Sequence, residues 1–148
     1  MSKILIIEDE PRKLDQLKNF LSKEFSNVEL EDKRSYNSAL REIIENYSVY
    51  DLFLLDMSMS TYDVSLEELG GVPEPLAGEN ILDAMYLNDI PTKVIVVTMY
   101  ESFVGKKLID FDSELKENYP ENYLGFVFFS HKNTDWKLHL KKFINEIL

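Results

Sequence analysis

The sequence predicts an α/β fold, a doubly wound five-stranded parallel sheet with helices on both faces. Short apolar runs recur along the chain without alternating with polar residues, as in strands that are buried on both sides. Segments with the period of about 3.6 residues that is typical of amphipathic helices lie between these runs. The length of 148 residues suits one domain with one core, so we expect residues 1–148 to form a single domain.

Five strands are predicted. Four are the apolar runs, at residues 4–7, 52–55, 94–97 and 126–129. The fifth is a shorter strand around Val28 and Leu30, between the first two helical segments. Because strands and helices alternate, the crossovers should be right-handed, and the common strand order for such a flavodoxin-like sheet is 2-1-3-4-5.

Five helical patterns separate and follow the strands. Their apolar positions are Leu14, Leu17, Leu21 and Phe25; Ala39, Ile43 and Tyr47; Ile81, Leu82 and Met85; a weaker set over residues 101–118; and Trp136, Leu140, Phe143 and Ile147. Pro11 suits the first turn of the first helix, and Ser35 suits the N-cap of the second. Asn133 and Thr134 are cap candidates for the last helix.

Composition and charge disfavour several classes of function. The net charge of −11 would repel a phosphate backbone or an anionic membrane surface. There is no cysteine, which excludes disulfides and thiolate metal sites. No apolar run reaches the length of about 18 residues that a membrane span needs, and the N-terminus does not resemble a secretory signal. We therefore expect a soluble cytoplasmic protein that binds neither nucleic acid nor membrane.

Polar residues follow the apolar runs, and they carry the functional prediction. Glu8 and Asp9 follow the first run, Asp56 the second, Thr98 the third and Ser130 the fourth. The carboxyl ends of parallel strands share one edge of the sheet, where ligands bind. Each residue alone is commonly a turn, cap or loop residue, but their combination at matched strand ends indicates a site.

Three carboxylates at such an edge predict a metal site. Like charges this close raise one another's pKa unless a cation lies among them. Oxygen ligands select a hard ion, Mg²⁺ or Mn²⁺. A carboxylate beside such a metal can attack phosphorus and form an aspartyl phosphate. A hydroxyl such as that of Thr98 can then donate a hydrogen bond to a phosphoryl oxygen.

Four motifs resemble the receiver domains of response regulators, the CheY-like family. KILIIEDEP resembles the first strand with its acidic pair, and YDLFLLDMSM resembles the third strand with its phosphoacceptor. GENILDAM resembles the following helix, and IPTKVIVVT resembles the fourth strand with its switch threonine. The motifs cover nearly the whole chain, in the family's order.

The resemblance implies a phosphorylation-switched signalling protein of a two-component system rather than an enzyme. It implies that Asp56 is the phosphoacceptor and Thr98 the switch residue. Magnesium would be bound by Asp9, Asp56 and the backbone carbonyl of Ser58, with Glu8 acting through water. The phosphoryl donor would be a sensor histidine kinase or a phosphotransfer protein, and the output would be contact with a downstream protein.

The sequence departs from the family pattern in three places. About twenty residues, 57–77, separate the phosphoacceptor from the following helix, and we expect this insertion to be mobile or to cover the site as a lid. The connection after Thr98 is also long. The family's last strand ends in a lysine that pairs with the phosphoryl group; here Phe129 stands in its place and Lys132 comes three residues late. We therefore expect a site without that cation, which takes up phosphate slowly.

Two alternatives remain open from the sequence. One is a degenerate receiver that acts as an interaction module without phosphorylation; the missing lysine favours it, and the three carboxylates oppose it. The other is a magnesium-dependent phosphohydrolase of the haloacid-dehalogenase kind. Such an enzyme needs an acid two residues after the nucleophile, where this chain has Ser58.

Overall fold

A computed structural model describes residues 1–60, 73–74, 76–100, 102–103 and 106–148. The strands are β1 (Ser2–Ile7), β2 (Val28–Lys33), β3 (Leu52–Leu55), β4 (Met59–Ser60), β5 (Pro73–Glu74), β6 (Lys93–Thr98), β7 (Ser102–Phe103), β8 (Lys106–Lys107) and β9 (Tyr123–Phe128). The helices are α1 (Pro11–Glu24), α2 (Tyr36–Asn46), α3 (Ala77–Leu87), α4 (Leu108–Asn118) and α5 (Asp135–Ile147), with a 3-10 turn at Tyr47–Val49.

The central sheet has five parallel strands in the order β2-β1-β3-β6-β9. Counted along the chain, these strands have the order 2-1-3-4-5, so the predicted topology is confirmed. The order makes β1, β3 and β6 neighbours at the centre of the sheet. Their carboxyl ends, which precede the predicted site residues, therefore lie side by side.

Two hydrophobic cores cover the two faces of the sheet. On one face, Leu5 and Ile7 of β1 pack with the buried side chains of α2, α3 and α4. On the other face, Ile4 and Ile6 pack with those of α1 and α5. Since neighbouring residues of a strand point to opposite faces, an uninterrupted apolar run is what a sheet covered on both sides requires.

Side-chain caps fix where the first two helices begin. The carboxylate of Glu10 accepts hydrogen bonds from the backbone N–H groups of Arg12 and Lys13, and Pro11 is the first helical residue. The Ser35 hydroxyl accepts a bond of 3.2 Å from the Ser38 N–H, as its predicted N-cap role requires. The cap at Glu10 lets α1 begin directly after the acidic pair that follows β1.

The fourth helix begins later than the sequence pattern predicts. It starts at Leu108, and β7 and β8 before it form an antiparallel pair. The N-cap residue, Lys107, makes no side-chain capping bond, so the sequence carries no signal for this helix start. Residues 101 and 104–105 lie outside the described part of the chain.

The insertion after β3 is described only at its two ends. Its ends pair as the short antiparallel strands β4 and β5. Residues 61–72 and 75 lie outside the described residues, and so does the predicted lid. Over the ranges that the structure describes, no helix is long and apolar enough to cross a membrane.

Candidate functional site

The ends of β1 and β3 bring three carboxylates together. Ile7 and Leu55 are partners in the register of these strands, and the Asp56 N–H donates to the Ile7 carbonyl at 3.1 Å. One carboxylate oxygen from each of Glu8, Asp9 and Asp56 lies within 4.8 Å of the other two. The three acidic residues that the sequence singles out therefore converge, because the parallel register aligns the two strand ends.

A cavity of about 240 Å³ opens above this cluster. Its lining consists of Glu8, Asp9, Glu10, Asp56, Ser58, Met59, Met99 and Tyr100. Glu8 and Asp56 are buried, whereas Asp9 and Ser58 are half-buried and Tyr100 is 55% exposed. The acidic cluster can therefore be reached from solvent past Asp9, Ser58 and Tyr100.

Thr98 ends β6 and is fully buried. Its hydroxyl oxygen accepts a bond of 3.2 Å from the Tyr100 N–H, and its carbonyl accepts one of 2.8 Å from the Phe129 N–H. Accepting the first bond does not engage the hydroxyl proton of Thr98. This hydroxyl can therefore donate to an anion while it anchors the start of the loop after β6.

Gly78 allows the third helix to approach the site closely. Its N–H donates to the Met57 carbonyl at 3.0 Å. A Cβ atom at this position would lie 3.0 Å from the Asp56 carbonyl oxygen and 3.0 Å from the Met57 Cα. Glycine is therefore required here for α3 to begin against the backbone that carries Asp56.

Lys13 also belongs to the site, and the sequence analysis missed it. It is fully buried, and its ammonium Nζ lies 2.5 Å from Glu8 Oε1 and 3.3 Å from Asp56 Oδ2. The same nitrogen donates to the Val97 carbonyl at 2.7 Å. The sequence did hold a signal for it: Lys13 precedes Leu17 and Leu21 by four and eight residues, which places it on the buried face of α1.

The last strand supplies no cation, as the sequence predicts, but the site does hold a cation. Phe129 does fill the position after β9 and is buried against Trp136, with 4.7 Å between ring centroids. The cation comes instead from α1, where Lys13 Nζ lies 5.8 Å from the centroid of the Phe129 ring. Lys132, the other candidate considered, is exposed.

Burial and mutual charge shift the pKa values of all three buried groups. The pKa of Glu8 is raised to about 8 because burial and the charge of Asp56 together outweigh the opposing effect of Lys13. Burial likewise raises the pKa of Asp56, against the opposing effect of Lys13. Burial lowers the pKa of Lys13, but the charges of Asp56 and Glu8 outweigh this and raise it overall, so Lys13 is an ammonium.

The donor set fits a hard divalent cation. Three carboxylates face a single ammonium, so the cluster carries excess negative charge whenever its acids are ionised. Carboxylate and carbonyl oxygens are the ligands that Mg²⁺ and Mn²⁺ prefer. Glu8, Asp9 and Asp56 are the residues that could hold such an ion, and the Ser58 backbone lies on the same cavity wall.

Comparison with known proteins identifies relatives along the whole chain, although no family model matches it. The chain is 34% identical to the uncharacterized protein y4jR of Sinorhizobium fredii (strain NBRC 101917 / NGR234), with 94% of each protein covered. It is 30% identical to the Detocs response regulatory protein DtcB of Enterobacter cloacae (strain JD6301), over 98% of this chain and 99% of that protein.

Solved receiver structures share the fold. The response regulator TrrA of Thermotoga maritima, solved in complex with Mg(2+)-BeF, superposes with a TM-score of 0.66 at 22% identity, and all of both chains is covered. The receiver domain of a LuxO repressor protein from Vibrio parahaemolyticus gives a TM-score of 0.65 at 22% identity, over 98% of this chain and 88% of that one. Together with the identity to DtcB and the strand order, these findings show that the chain belongs to the CheY-like response-regulator receiver family.

Proposed function

We propose that this receiver accepts a phosphoryl group on Asp56, in a site where Glu8, Asp9, Asp56 and the Ser58 carbonyl hold Mg²⁺ or Mn²⁺. The observation that carries the proposal is the convergence of the three carboxylates, within 4.8 Å of one another, at the floor of a cavity open to solvent. Asp56 directly follows the central strand β3 and is buried at the cavity wall, so its carboxylate meets little competition from water.

The transfer is a substitution at phosphorus. A carboxylate oxygen of Asp56 forms the new O–P bond while the bond from phosphorus to the donor atom breaks, and the donor leaves with that electron pair. The metal ion, when bound, neutralises charge on the oxygens around phosphorus. The Asp56 Oδ1 atom accepts the Met57 N–H at 2.8 Å, which orients the carboxylate for this attack. Thr98 would donate its hydroxyl proton to a phosphoryl oxygen and so report the modification to the loop that begins at Tyr100.

The proposed donor is a sensor histidine kinase or a phosphotransfer protein in the cytoplasm. The proposed output is contact with a downstream protein through the surface of α4, β9 and α5. Ile109 is 66% exposed on α4 and Phe128 is 37% exposed at the end of β9. This surface adjoins the position of Thr98, because Phe128 pairs with Thr98 in the sheet. A change at Thr98 would therefore reach it across a single strand.

Beryllofluoride binding tests the proposal. Magnesium and beryllofluoride should together bind the wild-type protein with one-to-one stoichiometry by calorimetry, and Asp56→Asn should abolish beryllofluoride binding. Asp15→Asn, which changes an exposed carboxylate of α1, is the matched control and should bind normally. If the wild-type protein binds magnesium but neither beryllofluoride nor phosphate from any donor, Asp56 is not a phosphoacceptor.

One observation favours a second function, that of a degenerate receiver. Lys13 Nζ already bridges Glu8 and Asp56, so the ammonium can neutralise the cluster in place of a metal ion. In that case the domain would bind its partner in a single state, without phosphorylation. The two functions differ in phosphoryl uptake: a degenerate receiver is not labelled by any donor, whether or not it binds magnesium.

A further inference from the structure

We propose that Lys13 is the residue whose ammonium contacts the phosphoryl group on Asp56, so that this receiver supplies its phosphoryl-binding cation from the first helix rather than from the end of the last sheet strand. The inference rests on the proposed phosphorylation of Asp56 and assigns a role to a residue outside the sequence motifs.

Stability alone does not explain a lysine at this position. The buried stripe of α1 continues with Leu14, Leu17 and Leu21, and an apolar side chain at position 13 would extend it. Replacing a buried ion pair by packed apolar residues is often neutral or stabilising, because two charges must be removed from water. A lysine retained on this stripe, with its charge aimed at the carboxylates, fits a role at the site better than a role in the core.

The three contacts of the ammonium suit a role in phosphoryl binding. An ammonium has three donors, and three oxygens surround this one, those of Glu8, Asp56 and Val97. The contact with Asp56 Oδ2, at 3.3 Å, is the longest of the three. When phosphorus bonds to Asp56, the donor directed at Asp56 can turn to a phosphoryl oxygen. Glu8 and the Val97 carbonyl still hold the nitrogen, so no backbone movement is needed.

Phe129 is compatible with a phosphoryl-binding cation that comes from α1. Phe129 is 1% exposed, and Lys13 Nζ lies 5.8 Å from its ring centroid, within the range of a cation–π contact. The ring excludes water beside the ammonium, which strengthens the attraction of Lys13 for an anion. A second lysine at position 129 would bring two like charges together in a buried space. The site therefore accommodates one cation, from either position 13 or position 129.

Acetyl phosphate gives a defined reaction for the test. An Asp56 oxygen attacks phosphorus, the bond between phosphorus and the acetate oxygen breaks, and acetate leaves with the electron pair. Charge on the phosphoryl oxygens meets the Lys13 ammonium in both the transition state and the product. Removing one positioned donor of this kind slows such reactions by about a hundredfold.

The experiment compares Lys13→Met with Lys23→Met, which removes an exposed lysine from the same helix. Labelling by acetyl phosphate should fall by about a hundredfold in Lys13→Met and stay unchanged in Lys23→Met. Magnesium affinity should rise by about tenfold in Lys13→Met, because a like charge beside the metal ligands is gone. A purely structural role would lower both quantities. The double variant Lys13→Met/Phe129→Lys should regain labelling.

The wild-type protein provides a measurement that does not depend on a variant folding. Beryllofluoride added to the magnesium-saturated protein should shift the Lys13 side-chain ε resonances. Wild-type labelling with no such shift, or with equal labelling of folded Lys13→Met, would overturn the role of Lys13 and leave the proposed function standing. Wild-type protein that binds magnesium but is not labelled by any donor would overturn the proposed function, and this inference with it.

Discussion

Lys13 and Phe129 face each other beside the acidic cluster of Glu8, Asp9 and Asp56, with the ammonium nitrogen of Lys13 5.8 Å from the centroid of the Phe129 ring. The aromatic ring stands where the family resemblance leads one to expect a lysine. The positive charge at the acidic cluster comes instead from Lys13 of α1. Phe129 departs from the family pattern and brings no charge, and the Lys13 ammonium is the cation that contacts the acidic cluster.

Asp56→Asn should stabilise the metal-free domain by about 1–2 kcal/mol, because it removes one of three crowded carboxylates. Burial already disfavours the ionised form of Asp56.

Lys13→Met should destabilise the metal-free domain by about 2–4 kcal/mol, because it leaves the carboxylates without their counter-charge. Urea unfolding without metal measures both changes, with the exposed Asp15→Asn as control. Asp56→Asn less stable than wild type would contradict the argument.

The stability of the metal-free domain should fall as the pH rises from about 4.5 to about 8. The folded-state pKa of Glu8 is raised from 4.5 to about 8, so in this window the folded state binds a proton that the unfolded chain releases. The contribution of Glu8 to the free energy of unfolding is complete below a pH of about 4.5 and is lost as the pH rises to about 8. Thermal unfolding at a series of pH values measures it, and Glu8→Gln should flatten the profile.

Magnesium should bind in the sub-millimolar to millimolar range and shift the amide resonances of Glu8, Asp9 and Asp56. The reason is the convergence of their oxygens within 4.8 Å. Asp51, at the other end of β3, is a control whose amide should not move. The absence of any shift at about 10–20 mM magnesium would rule out the metal site.

Tyr100→Ala should shorten the lifetime of the phosphorylated protein severalfold. Tyr100 lines the cavity above Asp56, and the water that hydrolyses the acyl phosphate must approach phosphorus in line with the bond that breaks. Decay of radiolabel after removal of the donor measures the lifetime. An unchanged decay rate would show that the Tyr100 ring does not obstruct this path. The sequence predicts slow uptake of phosphate from the absence of a lysine at position 129. The proposed role of Lys13 predicts the opposite, and the rate of labelling by acetyl phosphate distinguishes the two.

Gly78→Ala should destabilise the domain by about 1–3 kcal/mol. The added Cβ would lie 2.8 Å from the Met57 sulfur and 3.0 Å from the Asp56 carbonyl oxygen, so backbone at the site has to move. Chemical denaturation measures the loss, and Ala84→Gly on the same helix compares it with an ordinary helix-propensity change. Equal stability of Gly78→Ala and wild type would show that α3 can shift away without cost.

The order of elements could be predicted from the sequence because it depends on local patterns. Continuous apolar runs identify strands that are covered on both faces, and the helical periods between them identify the crossovers. The predicted strands also imply that Glu8, Asp9 and Asp56 lie close together, because parallel strands end at one edge of the sheet. The start of α4 at Leu108 did not follow, since no capping side chain marks it.

The sequence by itself determined the fold, the strand order and the acidic cluster, whereas only the tertiary structure decided which cation serves that cluster. After the last strand come Phe129, which has no charge, and the exposed Lys132, and neither supplies a cation to the acidic cluster. Lys13 is far from Asp56 along the chain, and the packing of α1 on the sheet brings its nitrogen to 3.3 Å from Asp56 Oδ2. Electrostatic contacts depend on distance in space and not on position in the sequence. A lysine on a different helix or strand can therefore supply the same positive charge to the site.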